Sequence, residues 1–81
     1  MSRIYTHTPA YVRKYSKNIA TGTSTLEHGI YYKPISVQFF LLGVPQTIGW
    51  KIDPADPTNK ITIENIGEAI TAVDIIITYT M

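Results

Sequence analysis

The chain has 81 residues, no cysteine, 44% hydrophobic and 16% charged residues, and a formal net charge of +1. That length holds one small domain. The lack of cysteine excludes a disulfide framework and a thiolate zinc site, which leaves oligomerisation as the expected means of stabilising so small a core.

The charge is unevenly divided. Arg3, Arg13, Lys14, Lys17 and Lys33 stand against Glu27 alone in residues 1–40, whereas residues 41–81 set Asp53, Asp56, Glu64, Glu68 and Asp74 against Lys51 and Lys60. A basic front half and an acidic back half can attract each other between neighbouring subunits, or remain scattered solvated charge. The longest apolar run, "FFLLGV", is too short to cross a bilayer, and "MSRIYTHTPAYVRKY" holds no signal-peptide core. Membrane insertion and secretion by that route are not expected.

No stretch sustains helical apolar spacing, and Ile, Thr, Val and Tyr are plentiful, so strands are predicted throughout. Residues 1–20 read as an extended, basic, Tyr-rich arm, broken at Pro9, with strand content before Pro9 and again over Tyr11 to Ile19. A Thr/Gly loop with a short strand near Thr23 to Glu27 follows. "KPISVQFFLLG" is the clearest internal strand, with Ile35, Val37, Phe39 and Leu41 on one face and Ser36, Gln38, Phe40 and Leu42 on the other. "VPQ" reads as a turn, "QTIGWKI" as a strand, "DPADPTN" as a tight loop, and "KITIENI" as a strand with Ile61 and Ile63 inward. The closing strand, "ITAVDIIITYT", puts Val73, Ile75, Ile77 and Tyr79 on a core face. It is expected to form a hairpin with the preceding strand and to lie centrally in a sheet. The predicted fold is all-β, a small antiparallel β-sandwich of six or seven strands over residues 21–81, with the arm of residues 1–20.

Little in the sequence points to catalysis, and no cofactor is implied. His7 and His28 lack a recognisable nucleophile and carboxylate, and "TGTSTLEHG" lacks the lysine and spacing of a phosphate loop. Asp53, Asp56 and Asn59 have the oxygens a calcium ion takes, but Asp-Pro pairs fit a plain turn, so no metal is assigned. "YVRKYSK" mixes aromatics with cations, as single-stranded nucleic-acid binders do, yet the pI near 8.0 argues for packing against a protein instead. Phe40, Leu42 and Ile76 lie opposite the core positions. With Tyr5, Tyr11, Arg13 and Lys14 they are the candidate interface residues. Tyr31 and Tyr32, with His28, are the candidates for a sugar platform, while Trp50, between Ile48 and Ile52, reads as core.

Five segments together, His28-Gly29, "ISVQFF", "IGWKI", "ITIEN" and "VDIIITY", resemble the small β-sandwich modules of tailed-bacteriophage virion proteins over residues 25–80. Such modules occur in head decoration proteins, fibres and baseplate parts, and in H-type lectin-like domains. The resemblance implies a virion structural protein rather than an enzyme, located in the virion. Its partners would be further copies of itself, with three the expected number, and other virion proteins such as the major capsid protein. A capsid decoration or cement role is the leading expectation. A host-glycan-binding module of a tail fibre or spike, or a tail or neck ring component, is the alternative.

Overall fold

The computed structural model describes residues 10–80. Tyr5, one of the candidate contact residues, lies outside them. Over the described residues the fold is all-β: seven strands in two antiparallel sheets, as the alternation in the sequence predicts. In chain order they are β1 (Ala10–Ile19), β2 (Gly22–Glu27), β3 (Pro34–Leu41), β4 (Val44–Gln46), β5 (Gly49–Ile52), β6 (Lys60–Asn65) and β7 (Ile70–Thr80). One sheet runs β1-β7-β3-β4 and the other β2-β6-β5.

The terminal strand β7 is central, with β1 on one side and β3 on the other. Its β-branched face explains the position. Val73, Ile75 and Ile77 are fully buried and Tyr79 nearly so, and they meet Val37 and Phe39 of β3 and Ile61 and Ile63 of β6 in a single core. Tyr15, Leu26, Ile48, Trp50 and Ile70 pack around that core half-buried. The expected strand from Tyr11 to Ile19 is present. It is β1, paired with β7 in unbroken register from Ala10–Thr80 to Lys17–Val73, so these residues belong to the sheet.

Ile35 does not share the inward face of Val37 and Phe39: the pairing of β3 with β7 shifts between Pro34 and Ser36, and Ile35 is 57% exposed. Two expectations about connections are also corrected. β6 and β7 do not form a hairpin, because they lie in different sheets. The physical reason is Asn65, 4% exposed. Its side-chain oxygen accepts from Gly67 N at 3.0 Å, and its amide donates to Glu68 O at 2.9 Å and Ala20 O at 3.4 Å. Thr21 Oγ1 donates to Gly67 O at 2.9 Å beside it. These bonds tie the β1–β2 crossover to the β6–β7 crossover and satisfy backbone groups that a hairpin would have paired. The second correction concerns "VPQ", which is strand β4 rather than a turn, with Pro45 on a sheet edge where its missing N–H is harmless. The turn is Leu42–Gly43, closing the Leu41–Val44 pair.

Candidate functional site

The outward face of the four-stranded sheet gathers residues from three strands. Lys14 lies opposite Ile76, Ile76 opposite Gln38, and Asp74 opposite Phe40. Phe40 and Ile76 are half-buried and line a shallow concavity of about 320 Å³ with Lys14, Gly43 and Asp74. Lys14 Nζ is 3.8 Å from Asp74 Oδ2, both partly exposed, so the pair contributes little to folding. Three of the candidate contact residues therefore share this face. Val12, 61% exposed, lies farther along it opposite Thr78.

Leu42 borders the concavity through Gly43 but is not on the strand face with Phe40, because the strand ends at Leu41. It sits at the hairpin tip, 92% exposed, with φ of 51°, and Gly43 follows with φ of 80°. Two positive φ values in a two-residue loop match the right-handed twist of a hairpin, a turn that favours Asn-Gly. A leucine in that conformation is strained and gains nothing from burial in the isolated chain.

Tyr11 and Arg13 point to the other face of the same sheet, in register with Tyr79 and Ile77. They do not join Lys14, Phe40 and Ile76. Tyr79 is sandwiched between two rings. Tyr11 stacks on it at 5.7 Å between centroids and 27° between planes, and Tyr32 at 6.2 Å and 13°. The nearby Tyr15, and after it Tyr79, raise the Arg13 pKa above its ordinary value. Tyr15 donates its own proton to His28 O at 2.6 Å.

Of the candidates for a sugar platform, Tyr31 and Tyr32 are exposed, at 71% and 41%, but His28 is 3% exposed and cannot serve as a surface contact. The His28 backbone is held by Tyr15 of β1 and by its own N–H donating to Asn59 O, in the loop just before β6, at 2.8 Å. Its Nδ1 accepts from Ile30 N at 3.2 Å, and its Nε2 is buried without a partner. Burial lowers the pKa of His28, with Asp56 opposing and Arg13 reinforcing that shift. Tyr31 has φ of 67°, and this left-handed residue lets Ile30 enter the core while the two tyrosines emerge. The Asp53–Asn59 loop bonds itself. Asp53 Oδ1 accepts from Ala55 N at 2.8 Å and Asp53 O from Asp56 N at 3.2 Å, as a turn requires.

The sequence does not reveal that Tyr11, Tyr32 and Tyr79 stack, since the three are brought together only by the register of β1 and β3 on β7. The one available signal is that Tyr11 and Tyr79 stand near the ends of tyrosine-bearing strands. No known protein family, curated protein or solved structure matches this chain.

Proposed function

We propose that this protein is a structural subunit that works by protein–protein contact, associating with copies of itself through the outward face of the four-stranded sheet and the β3–β4 hairpin tip. The virion setting, as a capsid decoration protein of a tailed bacteriophage, follows from the strand-and-turn resemblance. The observation that carries the contact reading is Leu42. A large apolar side chain, 92% exposed and held in a left-handed conformation, costs stability in a monomer and is explained by burial in an assembly. The occupant is a second copy, because the surface is self-complementary. Lys14 and Asp74 lie beside Phe40 and Ile76 on one patch, so a two-fold axis through it sets Lys14 of each copy against the acid of the other, a pairing of two copies in place of the three that the resemblance implies.

Amine cross-linking tests this, since a Lys14–Lys14 link arises only between copies. The link is expected in the unmodified protein and lost in Ile76→Glu. Its absence from the unmodified protein, with every cross-link within one chain, overturns the reading.

A further inference from the structure

The tyrosine end of the sheet is separate from the assembly surface, since its side chains emerge on the opposite face. Tyr79 is 7% exposed, with Tyr11 and Tyr32 against it. Tyr11 is 41% exposed and sits on β1, and among the described residues no further strand of the sheet covers its outward side. A ring fixed by stacking loses little entropy when a ligand is laid on its free face. Arg13 lies two residues along the same strand face, about 6.8 Å away by strand geometry. Among the described residues the ion pairs are Lys14–Asp74 and Lys51–Glu64, and Arg13 is in neither. Its side chain is exposed, and a guanidinium's fork of donors suits an outside carboxylate.

We propose that Tyr11 and Arg13, with Tyr79 and Tyr32 behind them, bind an acidic monosaccharide unit, a pyranose bearing a carboxylate. The apolar face of the pyranose lies on the Tyr11 ring, and the carboxylate reaches the guanidinium. A polynucleotide would also stack, but it needs a row of cations along its phosphates. On this face β1 supplies Arg13 and then only Lys17, which is opposite Val73. A neutral sugar would leave the arginine without a role. His28, being buried, takes no part.

The test is a titration of the full chain with D-glucuronic acid, D-glucose and inorganic phosphate, following tyrosine ring signals by NMR. Glucuronic acid is expected to shift the Tyr11 and Tyr79 rings, with glucose weaker by about tenfold or more. Arg13→Gln is expected to erase that preference without altering the unfolding curve, and Arg13→Lys to restore part of it. Tyr11→Leu, which keeps an apolar contact on Tyr79, is expected to abolish both sugar responses. Ring signals that respond to neither sugar, or equally to both, overturn the proposal. So does a response to phosphate that matches or exceeds the response to glucuronic acid.

Discussion

Leu42 and Gly43 share the left-handed backbone of the turn between β3 and β4, with φ of 51° and 80°, and only the glycine adopts it without steric cost. Leu42→Asn keeps the turn geometry and relieves that cost. It is expected to raise the stability of the isolated chain by about 1 kcal/mol, read as a higher denaturant midpoint at unchanged slope. A lower midpoint would mean that Leu42 makes a stabilising contact within its own chain.

Asn65 is the fastening between the two crossovers. Asn65→Ala removes its three backbone contacts and leaves Gly67 N–H and Glu68 C=O seeking partners, so a loss of about 2 kcal/mol is expected in equilibrium unfolding. Thr21→Val removes one exposed bond next to it and is expected to cost less than about 0.5 kcal/mol. Equal losses in the two variants would count against Asn65 as the fastening.

His28 gives the stability a pH dependence with a fixed sign. Its folded pKa lies below the ordinary 6.5, so above that value neither state is protonated and the stability is intact. As pH falls through 6.5 the unfolded chain takes up the proton first, and stability declines. Protonation would also place a hydrogen on Nδ1, where the Ile30 N–H already points. A falling melting temperature below pH 6.5 is expected, and His28→Gln is expected to flatten it. A His28→Gln profile that parallels the unmodified one assigns the dependence elsewhere.

The core of the fold is legible because Val73, Ile75, Ile77 and Tyr79 form an unbroken apolar set at every second position, while Asp74 and Thr78 between them are polar, which fits a strand with one face covered. The central place of β7 follows from the same face. The place of Leu42 is not legible, because Leu-Gly is poor chemistry for this turn and "FFLL" continues a strand alternation that the structure stops at Leu41. The sheet change between β6 and β7 was illegible for a different reason. Strands close in sequence default to hairpins, and the bond that overrides this reaches from Asn65 to Ala20, 45 residues away. The candidate contact residues divide by parity. Lys14, Phe40 and Ile76 meet on the outward face, while Tyr11 and Arg13 face the other way, a division set by a register that local pattern does not specify.

The most direct measurement is the mass in solution of the unmodified protein and of Leu42→Asn, by light scattering across a dilution series. Association through the hairpin tip and outward face is expected to give a multiple of the 9.1 kDa chain for the unmodified protein. The variant is expected to sit at or much nearer the monomer mass while melting no lower than the unmodified chain at high dilution. An unmodified protein that is monomeric at every concentration, or a variant that associates equally well, would contradict the account.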